Sequence, residues 1–189
     1  MVLTEGLNDV WFLSLLHNEY SDHDRFDYFD NQSEEITENK RISQHVIDTN
    51  YEYLYKAEGG RPNLCIIFSD VSQALVGMDI ETFILVDLDD EPISELYDEI
   101  NNNLYTDYGN STELVERSRQ NNHQMYTLDT ILQNDSRKDM PVTIFAFHSN
   151  LEEAVGINRG EDRQAKMQKI WSYIKQNPSV CENIALELF

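Results

Sequence analysis

Phe83-Ile-Leu-Val-Asp-Leu-Asp-Asp90 is the stretch on which the fold turns. Phe83 to Val86 are apolar without alternation, and a polar cluster with Pro92 closes the run. Continuous apolarity over so few residues predicts a strand buried on both faces, of the kind found in helix-covered parallel sheets. Its acids then stand at the carboxyl end, where open α/β sheets take their ligands. Side chains alternate along a strand, so Asp87 and Asp89 are expected to point the same way, about 6 to 7 Å apart. Two carboxylates that close repel each other. An oxygen-seeking divalent cation, Mg²⁺ or Mn²⁺, is the natural partner to neutralise them. A bare Asp-x-Asp is nonetheless more often an ordinary acidic turn than a site.

Working outward, Met1 to Thr4 reads as a short apolar strand broken by Glu5-Gly6, and Asn8 as the cap of a helix starting at Asp9. On that helix Asp9, Phe12, Leu13 and Leu16 fall at i, i+3, i+4 and i+7, which puts Asp9 at the sheet end of an apolar face. A further strand is predicted at Tyr51 to Tyr55, ended by Gly59-Gly60. Cys65 to Phe68 alone looks like a strand, but Leu64, Ile67, Phe68, Val71 and Leu75 keep helical spacing, so a helix is expected from Pro62 to Val76. After the central strand comes a helix from Pro92 to about Leu104. Residues 105–140 form a polar insertion for which two short helices are expected. Val142 to Phe147 makes a fourth buried strand, leading through His148-Ser149-Asn150 into Leu151-Glu152-Glu153. Helices at Asp162 to Gln176 and Pro178 to Leu188 complete the chain. The expected fold is a single α/β domain over 1–189, with a mostly parallel, Rossmann-like four-stranded sheet flanked by helices.

The remaining polar stretch, residues 18–42, reads as a solvated connection with some helix. His17 and His23 beside Asp22 and Asp24 match no zinc spacing. The chain has 189 residues, 40% of them hydrophobic, a formal charge of -21 and a pI near 4.3. A field of that sign repels nucleic acid at long range, so DNA or RNA would need a local basic patch, a metal site or a partner subunit. Cys65 and Cys181 lie in hydrophobic contexts and read as reduced core thiols, which suits a cytoplasmic protein. No apolar stretch approaches eighteen residues and the N-terminus has no basic region followed by an apolar run, so neither a membrane span nor a signal peptide is expected.

Acids thus stand at the ends of several strands: Glu5 and Asp9 after the first, Asp87 and Asp89 after the third, Glu152 after the fourth. In a parallel sheet those ends share one edge, so the five can surround a single site. Here the chain resembles the toprim domain. Val2-Leu-Thr-Glu-Gly-Leu-Asn-Asp-Val-Trp-Phe-Leu13 is similar to the family's opening strand and Glu-Gly-x-x-Asp-x-x-Phe-Leu pattern. Gly59-Gly60-Arg-Pro-Asn-Leu64 is similar to the element that opens its second helix in some small members. Val86-Asp-Leu-Asp-Asp90 looks like its Asp-x-Asp strand end, and Asn150-Leu-Glu152 like a later acidic position in nucleases of the OLD type. Thr4 and Pro92 depart from the pattern, where many members carry an apolar residue and glycine; neither departure removes a ligand.

The resemblance implies phosphodiester cleavage with Mg²⁺ or Mn²⁺, as in small stand-alone or OLD-type toprim nucleases. Glu5 would bind metal or handle the proton of water, Asp87 and Asp89 would hold the principal ion, and Asp9 and Glu152 would complete a second site. OLD-type enzymes are thought to use a late lysine, for which Lys166, Lys169 and Lys175 all qualify. No phosphate loop, zinc ribbon, topoisomerase gate or primase module is read beside these motifs, so a stand-alone small toprim protein or one subunit of a larger machine is expected. The expected roles are an antiphage or abortive-infection effector partnered with an ATPase or acting as a homo-oligomer, or a solitary ribonuclease. An alternative from another class is a non-catalytic acidic binding protein that inhibits by mimicking nucleic acid.

Overall fold

The computed structural model describes residues 1–20, 42–46, 53–57, 60–75, 81–135 and 139–188. The elements run β1 (Val2–Thr4), α1 (Leu7–Tyr20), β2 (Ile42–Val46), β3 (Tyr53–Ala57), α2 (Arg61–Leu75), β4 (Thr82–Asp87) and α3 (Ile93–Tyr108). A 3₁₀ turn at Gly109–Ser111 leads into β5 (Thr112–Asn121), β6 (Met125–Asn134) and β7 (Met140–Phe147). Then follow α4 (Leu151–Val155), α5 (Arg163–Gln176) and α6 (Pro178–Leu188).

Seven strands form one sheet in the order β2-β3-β1-β4-β7-β6-β5. Its centre, β3-β1-β4-β7, is parallel. These are the four strands expected, three from apolar runs and β3 from tyrosines that share a face, with the β3 bounds shifted so that Tyr51 lies outside the described residues. The expectation of a four-stranded, mostly parallel sheet needs correction at both edges. Antiparallel β2 is added beside β3, and the antiparallel β5–β6 hairpin beside β7. That hairpin occupies most of 105–140, where two short helices were expected; α3 also runs on to Tyr108. The hairpin buries one face only, with Leu114, Leu128, Thr130 and Leu132 inside and Glu113, Arg117 and Asp129 outside. Most of its residues are therefore polar, which conceals a strand from any search for apolar runs. Most of the 18–42 connection, with His23, Asp22 and Asp24, lies outside the described residues.

β4 shows why a buried strand carries no alternation. Phe83 and Leu85 pack on one side with Phe12 and Leu16 of α1, Ile170 and Ile174 of α5 and Ile184 of α6. Ile84 and Val86 pack on the other with Leu64 and Phe68 of α2 and Leu96, Ile100 and Leu104 of α3. The sheet thus lies between two helical layers and both faces demand apolar side chains. The helical spacing in α2 is honoured, with Leu64, Ile67 and Phe68 buried, and Cys65 and Cys181 are free, buried thiols. Among the described residues no helix is long and apolar enough to cross a membrane. Ile84, fully buried in the central strand, makes a small probe of this packing. Ile84→Val should cost about 1 kcal/mol with an unchanged urea m-value. Equilibrium unfolding checks it, and a loss below the error of the method would mean that the two layers are loosely packed.

Candidate active site

Parallel pairing brings the ends of β1, β4 and β7 to one edge, with Thr4 opposite Leu85 and Asp87 opposite Phe147. Glu5 follows β1 directly, and its Oε1 accepts a hydrogen bond from the Asp87 backbone N–H at 2.7 Å. Asp87, the last residue of β4, accepts at Oδ1 from the Leu151 N–H at 3.0 Å, at the start of α4. Asp9 lies in the first turn of α1, where its Oδ2 accepts from the Gly6 N–H at 2.8 Å. Glu152, in the first turn of α4, accepts at Oε1 from Asn8 Nδ2 at 2.6 Å. Each carboxylate is thus held by an amide N–H, three of the backbone and one of Asn8.

Asn8 was expected to cap α1. The helix instead begins at Leu7 and takes its first carbonyl from Gly6, with the Val10 N–H donating at 3.3 Å. Asp9 reaches back to the Gly6 N–H, as the third residue of a capping box does. That leaves the Asn8 side chain to bridge α1 and α4.

The four acids act on one another. Asp9 is only 4% exposed; burial raises its pKa well above the carboxylate range, reinforced by the charges of Asp87, Glu5 and Glu152. Burial, then the neighbouring Glu5, pushes Asp87 up to about 8, although the Leu151 N–H opposes the shift. Burial likewise pushes Glu5 up to about 7 against the Asp87 N–H, which favours the charged form. A group of acids raised together, rather than one carboxylate balanced by a cation, marks a place where negative charge is concentrated and under-compensated.

Asp89 departs from expectation in its geometry. β4 ends at Asp87, and Asp89 and Asp90 take left-handed backbone conformations with φ of 50° and 64°. They form a tight turn closed by the Glu91 N–H donating to the Leu88 carbonyl at 2.8 Å. Asp and Asn tolerate this region better than other residues with a Cβ. The strand rule that would align Asp89 with Asp87 therefore does not hold. Asp89 is exposed, and Asn150 Nδ2 reaches its Oδ1 at 3.4 Å, while its charge still raises the pKa of Asp87 and Glu5.

The lysines fall elsewhere. Lys169 on α5 donates to the Gly156 carbonyl and to Glu161 Oε1, each at 2.5 Å. Lys166 sits on the same helix, one turn earlier. The cation that does act on Glu5 is Arg61, the first residue of α2, which sequence reasoning passed over. Its guanidinium donates from Nη1 to the carbonyls of Asp87 and Leu88 at 3.3 Å each, from Nε to Glu99 at 3.0 Å, and to Glu91. Arg61 thereby ties the start of α2 to the end of β4. The signal in the sequence was its position inside Gly59-Gly60-Arg-Pro-Asn-Leu64.

No family model, curated protein or solved structure matches the chain.

Gly60 brings Arg61 into place. Its φ of +76° lies in the left-handed region, and a Cβ there would stand 3.8 Å from Glu5 Oε2, an ordinary contact. Strain, not space, therefore makes glycine preferable. Gly60→Ala is expected to destabilise the protein by roughly 1 to 2 kcal/mol. Thermal unfolding measures this, and a stabilised variant would contradict the backbone geometry.

Among the described residues, no three carboxylate, imidazole or thiol groups close on one point as a ready-made cation cage. The donor set nonetheless suits Mg²⁺ or Mn²⁺ in kind, being hard anionic oxygens whose repulsion a cation relieves. Glu5, Asp9, Asp87 and Glu152 are the residues that could hold one, with Asp89 at the rim.

Proposed function

We propose that the chain is a Mg²⁺- or Mn²⁺-dependent nuclease of the toprim type. The observation that carries this reading is the convergence of Glu5, Asp9, Asp87 and Glu152 on one sheet edge, with three of their pKa values raised together. The carboxylates are donated by β1, α1, β4 and α4, which is the order of the toprim-like motifs along the chain. A bound cation would clamp the phosphate oxygens and make a water nucleophilic. Asp87 and Asp9, with Glu152, would supply the anionic oxygens that hold it. Glu5, raised to about 7 in the metal-free protein, would handle the proton of that water. Arg61 would keep the β4 end, and so Asp87, in register with Glu5.

The substrate would be DNA or RNA. A partner subunit with a basic groove, such as an ATPase, would compensate the charge of -21, which a second copy of this chain would only double. The ATPase, and with it an antiphage or abortive-infection role, rests on the toprim resemblance alone. Two free, buried thiols accord with a cytoplasmic location. Calorimetric titration of Mn²⁺ into the protein, with Asp87→Asn in parallel, tests the reading. A saturable site in the parent chain that disappears in the variant is expected. Absence of specific binding in the parent chain would favour the second reading.

That second reading is an acidic binding protein that mimics nucleic acid, favoured by the charge itself. It predicts tight, salt-sensitive association with a basic protein and no carboxylate metal site.

A further inference from the structure

The negative charge is unevenly distributed. The chain holds 35 Asp and Glu residues, yet none falls in 117–128 or in 163–181. The first stretch forms the end of the β5–β6 hairpin, and the second covers α5 and the start of α6. Between them they carry Arg117, Arg119, Arg163, Lys166, Lys169 and Lys175.

Folding brings the two stretches together at the sheet edge that bears the acids. Met125 lies opposite Phe147, which lies opposite Asp87. Gln124, just before β6, therefore sits at the carboxyl edge, two strands or about 10 Å from Asp87. Gln124 joins α5 by accepting a hydrogen bond from the Tyr173 hydroxyl, and its Nε2 reaches Asn177 Oδ1 at 3.5 Å. A cleft of about 520 Å³ opens between hairpin end, α5 and α4, within the size range of small-ligand sites.

None of the described residues lining this cleft is acidic. Gln124 and Asn177 are bonded to each other and to Tyr173, so Gln168 and Gln176 supply the ligand-facing amides; Lys169 supplies a cation partly neutralised by Glu161, and Ala154 and Val155 of α4 supply an apolar wall. Glu152 lies on that same helix, less than one turn, or about 5 Å, from Val155.

We propose that this cleft holds a nucleotide of a single nucleic-acid strand, beside the phosphate presented to Glu5, Asp9, Asp87 and Glu152. The proposal rests on the nuclease reading for its direction, and on the cleft for its ligand chemistry. Side-chain amides carry a donor and an acceptor in one plane, which matches the Watson–Crick edge of a nucleobase. The apolar wall suits a base face, and a lining without carboxylates, beside which Glu161 is paired with Lys169, lets a phosphodiester approach. A single strand is required because a base paired within a duplex does not present that edge to a cleft.

Fluorescence anisotropy with labelled oligo-dT and oligo-rU, in EDTA so that no cleavage occurs, tests the proposal and separates DNA from RNA. Binding of at least one oligonucleotide is expected. Gln168→Glu and Gln176→Glu, both at exposed positions, should each weaken it roughly tenfold by placing a like charge against the phosphate. Asn102→Glu, exposed on α3 across the sheet, adds the same charge and should not. No binding by the parent chain, or equal weakening by all three substitutions, overturns the cleft assignment. Mn²⁺ titration of the same variants keeps the two readings apart. Loss of oligonucleotide binding with metal binding intact locates the effect in the cleft, whereas oligonucleotide binding without any metal site retains the cleft and removes the nuclease.

Discussion

Asp87→Asn should lower Mg²⁺- or Mn²⁺-dependent cleavage of nucleic acid by at least roughly 100-fold, because removing partners that merely orient a metal ligand already costs 10- to 100-fold. The substitution is nearly isosteric. Its amide oxygen can still accept from the Leu151 N–H, the bond that holds Asp87 at 3.0 Å. What disappears is an anionic oxygen at the centre of the group. Asp87 is the residue through which the others couple: it raises Asp9, is raised by Glu5 and Glu152, and its own N–H binds Glu5. At pH 8 and above, where Asp87 ionises, the metal-free variant should therefore be at least as stable as the parent, since a repelling charge has gone while the hydrogen bond remains. Falling activity with unchanged or rising stability distinguishes a functional carboxylate from a structural one. Assays on DNA, structured RNA and tRNA, together with thermal unfolding in EDTA, read both quantities. Cleavage that survives both Asp87→Asn and Glu5→Gln would remove the assigned site, and a strongly destabilised Asp87→Asn would make the residue a structural acceptor.

The part of this arrangement legible in the sequence is the part that burial controls. β4 could be read because both of its faces are covered, so Phe83 to Val86 had to be apolar, and α2 because Leu64, Ile67 and Phe68 line a single buried stripe. With the other two apolar runs and the alternating tyrosines of β3, the parallel centre of the sheet follows, and with it the shared edge that gathers Glu5, Asp9, Asp87 and Glu152. The β5–β6 hairpin was not legible because its outer face meets water. There Thr112-Glu-Leu-Val-Glu-Arg mixes polar and apolar residues, and a register shift between Glu116 and Ser118 breaks the alternation. Asp89 was misplaced for a local reason: a period-2 argument holds only while the strand continues, and the chain turns left-handed two residues after Asp87. Arg61 and the lysines show a further limit. Long cationic side chains reach several ångströms from their backbone positions, so sequence spacing did not reveal that Arg61 meets Asp87, Leu88, Glu91 and Glu99 while Lys169 turns to Glu161.

The metal-free protein should lose stability as pH rises from about 5 to 8, and divalent cations should restore it. Glu5, Asp9 and Asp87 all have folded-state pKa values above their ordinary ones. Between the two values the folded state binds more protons than the unfolded chain, so the derivative of unfolding free energy with pH is negative. The contribution is fully present below the unfolded pKa, near 4 to 4.5, and is lost as pH rises through the folded values of about 7 for Glu5 and about 8 for Asp87. For Glu5, a rise from 4.5 to about 7 corresponds to on the order of 3 kcal/mol. Asp9 and Asp87 add to this less than additively, because the three groups titrate as one coupled set. In a chain of 189 residues, a loss of about 3 kcal/mol lowers Tm by about 10 °C. Calorimetric scans in EDTA at pH 5 and pH 8 measure the drop. Glu5→Gln should shrink it, since a group that cannot ionise has nothing to lose. Mn²⁺ at pH 8 should raise Tm in the parent chain and much less in Asp87→Asn, because binding to the folded state alone adds stability by mass action. A Tm that is level or rising between pH 5 and 8 would show that the carboxylates are already compensated, and would withdraw the electrostatic case for a cation at this edge.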